Sequence, residues 1–410
     1  MWSSSRNFHK LPPEGLESEM SNPCTTSRTI LSSLKQPKKP RVILANIHSV
    51  YGPSLLSSLM EKLYSRLNRD KHEGQEIRLF SLFPGRSNSH IRGHLFNIGT
   101  EHIVRDSPEI NYEALSYVWG NEKDQDWIFV NDSLFKVTRN LHAALSLLRL
   151  CDRERILWID AICINQMDDD ERGHQVSLMR EIYESASQVL VWFGEAGMHG
   201  SDGTKELASL LNAKPPHPTA EYFFTEGFSE SFRDILTRPW WSRVWVIQEA
   251  AVARRLTFLC GPHCLDLPNG PEELSELADA LRNALTAGVE ARSIKGVCRE
   301  HLLGLILNQR DRAFGTRSRL QNLVYNYLRC DYSDPRDRVF ALLGLSRTYD
   351  SVRNPPDYST TIQAREKNLP FWRSNPPLFL KLPCRLGQNP LLPEEPCRTA
   401  TVYRIHESDR

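Results

Sequence analysis

The chain has 410 residues, 40% of them apolar and 25% charged, with a formal net charge of +1. That is an ordinary globular composition, and it leaves no global field to gather nucleic acid or an anionic membrane. No apolar run approaches the ~18 residues of a spanning helix.

The N-terminus "MWSSSRNFHK" lacks the apolar stretch of a secretion signal. The nine dispersed cysteines read as reduced thiols, so the protein is expected inside the cell. Residues 1–40 are rich in Ser, Pro and charge and read as a disordered tail. "KQPKKPR" (35–41) reads as a solvated charge run ahead of a nuclear address, which places the protein in the cytoplasm rather than the nucleus. In the uncertain segment 41–75, "RVILANI" (41–47) suggests a strand and the apolar pattern over 55–67 a helix.

From residue 76 the signals sharpen. "IRLFSLF" stops at Pro84-Gly85 and "IRGHLFNI" follows, giving two strands. "YEALSYVWG" (112–120) is an apolar strand closed by Gly120. "WIFV" and "LFKV" flank "NDS" and predict a hairpin with a three-residue turn. Thr138 then caps a helix with Leu141, Ala144, Leu145 and Leu148 on its apolar face. "RILWID" (155–160) is apolar without alternation, as in a strand covered on both faces. The loop "AICINQMDDDER" leads into a helix with Val176, Met179, Ile182, Tyr183 and Ala186 at helical spacing. "QVLVWFG" (188–194) is another buried strand, followed by a loop holding Gly194, Gly197, Gly200 and Gly203. The tryptophan-rich "RPWWSRVWVIQEAA" (238–251) predicts a helix, and "RLTFLCG" (255–261) a further strand. Residues 263–350 turn helical. Residues 351–410 are irregular, with nine prolines between 354 and 397.

Strands alternating with helices predict a doubly wound parallel sheet over 76–262, with the hairpin as an insertion and a helical region after it. Ligands of such sheets sit beyond the C-terminal strand ends. Asp160, Trp119 and the Gly-spaced loop converge on that rim.

Dinucleotide, P-loop, zincin and nucleophile-elbow motifs are all missing. "CGPHC" (260–264) offers Cys260, His263 and Cys264 without a second pair of ligands, so a strand end and turn are expected instead of a metal site. Asp160 either caps the following loop or serves the rim. Trp241, Trp245 and Glu249 are spaced i, i+4, i+8, one stripe of a helix. A carboxylate beside such aromatics loses water, which raises its pKa. It either works on a cation or a sugar hydroxyl, or sits in a buried ion pair with Arg238 or Arg243.

"YEALSYVWG" (112–120), "LWIDAICINQMDDDER" (157–172) and "RPWWSRVWVIQEA" (238–250), in this order, resemble the fungal heterokaryon incompatibility (HET) domain family. The resemblance covers about residues 76–262. "DPRDRVFALLGL" and "PDYS" (356–359) resemble the segment that follows the domain, and the chain departs from the family after that. The family implies non-self recognition between fungal cells, ending in programmed cell death, and a distant likeness to TIR domains with their flavodoxin-like sheet. "WVIQE" (245–249) resembles the W-x-x-x-E element of TIR enzymes, whose glutamate cleaves NAD⁺. The resemblance thus implies Glu249 as the catalytic carboxylate, with Trp245 as its neighbour. Ser116, Trp119, Asp160 and Arg243 join Trp245 as the expected substrate-binding set. NAD⁺ would be the substrate, and no retained cofactor or metal is expected. The partners expected are a second copy of the domain and an unknown incompatibility partner, with no nucleic acid and no membrane span. The alternative is a non-enzymatic interaction module in which Glu249 is held in a structural ion pair.

Overall fold

The computed structural model describes residues 63–69, 74–86, 89–103, 109–196, 234–287, 296–316, 320–327, 330–332, 334 and 336–346. The expected tails 1–40 and 351–410, the strand over 41–47, the "PDYS" segment and Gly197, Gly200 and Gly203 lie outside these residues. Of the expected helix over 55–67, only the end is described, where Leu63, Tyr64 and Leu67 are buried.

Nine strands form one mixed sheet among the described residues. In chain order they are β1 (Glu76–Leu82), β2 (Arg92–Gly99), β3 (Glu113–Tyr117), β4 (Gln125–Val130), β5 (Ser133–Thr138), β6 (Arg155–Trp158), β7 (Gln188–Trp192), β8 (Leu256–Cys260) and β9 (His263–Asp266). Across the sheet they run β5-β4-β2-β1-β6-β3-β7-β8-β9. The centre, β6-β3-β7-β8, is parallel. These are the unalternated apolar runs, and β7 and β8 are buried almost throughout. Antiparallel pairs flank the centre, with β1 on β6 and β9 on β8.

The inserted hairpin β4–β5 adds to the far edge, where β4 pairs in parallel with β2. Its turn has two residues instead of the expected three. Asn131 (φ 49°) and Asp132 (φ 59°) are both left-handed, and Val130 pairs with Ser133. Two positive φ angles match the right-handed twist of the strands. The Asn131 side chain repeats the stitch on β2, accepting from Leu95 N at 2.8 Å and donating to Leu95 O at 3.2 Å.

Thr138 caps α1 (Arg139–Leu148), accepting from Leu141 N. The run "RILWID" stops being a strand at Trp158. Asp160 opens the short helix α2 (Asp160–Cys163), and Asp168 caps α3 (Asp169–Ser185). After a 3₁₀ turn, Pro239–Ser242, comes α4 (Trp245–Ala251). The "CGPHC" run is the turn of the β8–β9 hairpin, with Cys260 opposite His263. Helices α5 (Pro271–Ala287), α6 (Gly296–Ala313), α7 (Leu320–Asn326) and α8 (Asp337–Leu343) follow.

One buried ion pair fixes the loop that carries Asp160. Arg78 on β1 meets Glu171 on α3 bidentately, at 2.5 and 3.0 Å. Arg78 also donates to Cys163 O and Ser65 O and lies 4.9 Å from the Tyr64 ring centroid, while Glu171 accepts from Asn165 N. Both ends of the 160–169 loop therefore hang on this pair. Removing one partner leaves a buried charge without its counter-ion. Glu171→Ala is predicted to cost about 3–5 kcal/mol in urea unfolding, and Arg78→Met with Glu171→Leu to recover most of it. A loss below about 1 kcal/mol for the single variant would contradict this assignment.

Candidate functional site

The four parallel strands, taken in chain order, lie in the sheet as second, first, third, fourth. The chain reverses its direction of progress between β3 and β7, and the crevice of such a sheet lies at that reversal, beyond the strand ends. Two left-handed glycines turn the chain there: Gly120 (φ 82°) after β3 and Gly194 (φ 103°) after β7. Asn140, on the first turn of α1, joins the two exits. It donates to Val118 O at 2.6 Å and accepts from Trp192 Nε1 at 2.9 Å.

Glu249 on α4 comes to the end of β3 at this reversal. It is 5% exposed, and its Oε2 accepts from Ser116 Oγ at 2.5 Å. Ser116 on β3 is fully buried and accepts from Trp240 Nε1 at 2.8 Å. An indole nitrogen only donates, which leaves the serine proton for the carboxylate when Glu249 is ionised. Trp240 is held by ring contacts with Phe193, Trp241 and Phe258. The Tyr183 hydroxyl lies beside Glu249 and donates to Leu115 O at 3.1 Å.

Asp160 forms the outer half of the cluster. Its Oδ2 accepts from Trp119 Nε1 at 2.8 Å and its Oδ1 from Ala161 N at 2.7 Å. The Tyr117 hydroxyl bonds it as well. One oxygen caps the local backbone, as the loop-cap reading expects, and the other anchors Trp119. Arg243 donates to Tyr117 O at 2.5 Å and influences both carboxylates. Trp119, Asp160 and Arg243 are half-buried and form the outer rim, with Glu249 beneath them.

Five of the six expected site residues thus meet: Ser116, Trp119, Asp160, Arg243 and Glu249. Trp245 packs in the seam between the main core and the C-terminal helices. Ser116 spends its proton on Glu249. The expected helical stripe through Trp241 is broken, because Arg243 is extended (ψ 135°) and α4 begins only at Trp245. Trp241 belongs to the preceding turn and donates to Ile235 O. Glu249 has no arginine within ion-pair distance among the described residues, and Arg238 pairs with Asp234 at 2.7 Å. Tyr117 and Asn140 are not singled out in sequence, where Trp240 stands only as part of the tryptophan cluster and Tyr183 only as part of the apolar face of α3. Buried Tyr and Trp need polar partners, which is the signal they carried.

Burial pushes the Glu249 carboxyl up to about 7, against the opposing pull of Arg243 and the Ser116 hydrogen bond. Burial also raises Asp160, and Arg243 again opposes it. Two carboxylates facing one guanidinium hold a proton near neutrality. An acid whose pKa is raised by folding stabilises the fold below its unfolded value and loses that contribution as pH rises through the folded one. For Glu249 the window runs from about 4.5 to about 7. At about 1.4 kcal/mol per unit this amounts to roughly 3 kcal/mol. Glu249→Gln stays neutral and still accepts from Ser116. It is predicted to match wild type near pH 5 and to exceed it near pH 8 in denaturant unfolding. A variant whose deficit grows with pH would place Glu249 in a structural ion pair.

Residues 112–249 match the family model described as Heterokaryon incompatibility protein (HET). The chain is also 27% identical to heterokaryon incompatibility protein 6, OR allele, of Neurospora crassa, over 62% of this chain and 46% of that protein. It therefore spans about half the length of that relative. No solved structure matches the chain. No helix among the described residues is long and apolar enough to cross a membrane. Over part of its length the chain is thus similar to heterokaryon incompatibility proteins, and the matched segment begins at the entry to β3 and ends on Glu249.

Proposed function

We propose that this chain acts in heterokaryon incompatibility as a TIR-like NAD⁺ hydrolase, with Glu249 as the carboxylate that meets the ribose. One observation carries the reading. A buried carboxylate with a pKa near 7 lies at the switch point of the sheet, beside a second carboxylate and one guanidinium. Perturbed acids in such a crevice are functional-site candidates on physical grounds. The order second, first, third, fourth is also that of flavodoxin-like sheets.

The chemistry suits few groups. The nicotinamide leaving group is cationic and departs with the bonding pair, so no strong acid is needed. Water adds at the ribose carbon and gives up its proton. Ionised Glu249 holds the ribose hydroxyls and stabilises the oxocarbenium-like charge. Arg243 on the rim suits the diphosphate, and Trp119 offers a wall for the ring. Asp160 faces the nucleotide from the same rim. Ser116 acts from behind, by fixing Glu249. NAD⁺ is consumed here as a substrate, and no cofactor is kept. The biological outcome is programmed cell death in the cytoplasm after non-self recognition. Glu249 is buried, so we place the opening of the crevice at self-association of the domain.

The same burial favours a second reading, a signalling module that works by contact, with the Glu249 cluster as its buried polar centre. In that case the incompatibility partner, and not a nucleotide, meets the rim.

Nicotinamide release from NAD⁺, followed by chromatography on the purified full chain with and without forced clustering, separates the two. Release by wild type, greater on clustering and rising with pH through about 7, with loss in Glu249→Gln, is the expected result. No release by folded, clustered protein would contradict the hydrolase and leave the module.

A further inference from the structure

The matched HET segment ends on Glu249, yet the helix that carries Glu249 is gripped by residues far beyond it. Helix α4 has seven residues, and its N-cap makes no side-chain hydrogen bond. So short a helix does not hold its own position, and tertiary anchors must set it. One side of α4 sits on β3, β7 and α3, and the other on α6 and α8. Val244 and Ile247 are covered by Leu323, Val324, Tyr327 and Leu342. The chain entering α4 is pinned to Asp331 by two backbone hydrogen bonds, Val244 N to Asp331 O at 3.1 Å and Asp331 N to Ser242 O at 2.6 Å. The chain leaving it is pinned by one side chain. Gln309 on α6 is 2% exposed. Its amide nitrogen donates to Ala250 O and to Ala253 O, and its oxygen accepts from Arg312 Nε at 3.2 Å. Carbonyls at a helix C-terminus lack full intrahelical pairing; Ala250 O keeps a long local bond from Ala253 N at 3.4 Å, and Gln309 adds a donor from α6. Both its donor hydrogens and its acceptor are used, so the amide has one place to be.

We propose that Gln309 is a positioning residue for Glu249: it fixes the end of α4, and through it the Glu249–Ser116 contact, from outside the matched segment. The inference rests on the reading of Glu249 as the functional carboxylate. Ala250 is the residue after Glu249, so a shift of its carbonyl moves the carboxylate directly. Gly344, after α8, presses on the same helix. A Cβ there would meet Gln248 Oε1 at 2.5 Å and Arg180 Cδ at 2.9 Å.

The test is made on the full chain with Gln309→Met, which keeps the bulk and removes both donors. Leu145→Ala in α1 serves as a control of comparable destabilisation away from α4. Glu249 protonation is followed by carboxyl infrared difference spectra, with Glu249→Gln as the blank, alongside nicotinamide release. The charged and titratable groups facing Glu249 are Asp160, Arg243, Tyr117 and Tyr183, so a displaced helix changes its titration. Gln309→Met is expected to move the Glu249 midpoint by about one pH unit and to lower release at least tenfold, with the midpoint in Leu145→Ala unmoved. A midpoint equal to wild type in folded Gln309→Met overturns the inference. So does an equal shift in Leu145→Ala, which would report general loosening. If Gln309→Met does not fold, Gln309→Asn, which draws the amide back by one methylene from Ala250 O, takes its place with the same expected shift, and an unmoved midpoint there is equally decisive. Absence of release in wild type would end the hydrolase reading, while the titration still decides the positioning role.

Discussion

An indole N–H can donate a hydrogen bond and cannot accept one, and the centre of this protein follows from that restriction. Trp240 donates to Ser116, which leaves the serine its own proton for ionised Glu249. With the carboxylate ionised, the chain runs one way, from indole to serine to carboxylate. The aromatic cluster of Phe193, Trp240, Trp241 and Phe258 fixes where the chain starts. A carboxylate approached in this way is both held and dried. Drying raises its pKa, while the serine and Arg243 oppose the rise without cancelling it.

The rest of the molecule supplies the walls. The parallel centre of the sheet brings the ends of β3 and β7 side by side, and Asn140 joins them. The Arg78–Glu171 pair sets the loop from which Asp160 comes forward. Helices α6 to α8 complete the seat of α4 from outside the matched segment. Each support stands at a different element, so losses at distant supports should add nearly independently, whereas Ser116 and Glu249 should not.

Much of this architecture could be read along the chain. "QVLVWFG" and "RLTFLCG" became β7 and β8 because a strand buried on both faces needs no alternation. Thr138 was legible as a cap because its partner is three residues away. What could not be read depends on distant contacts. Ser116 and Glu249 lie 133 positions apart, and no local pattern announces their bond. The helical stripe through Trp241 failed because the bridge from Arg243 to Asp331 holds the backbone extended where periodicity alone would continue the helix. The hairpin turn was one residue shorter than expected, since Ser133 pairs with Val130 and leaves only Asn131 and Asp132 in the turn. "CGPHC" reads rightly as a strand end and turn, but β9, which starts at His263, is only four residues long and gives no period of its own.

The claim on which everything here leans is that Ser116 and Glu249 act as one unit. A double-mutant cycle with Ser116→Ala, Glu249→Ala and the pair, read by denaturant unfolding above the Glu249 pKa, measures it directly. The account predicts a coupling of about 1.5–3 kcal/mol, as for a buried hydrogen bond to a charged group. Effects that add to within about 0.5 kcal/mol would mean that the two side chains are neighbours without being partners, and the central arrangement described here would be wrong.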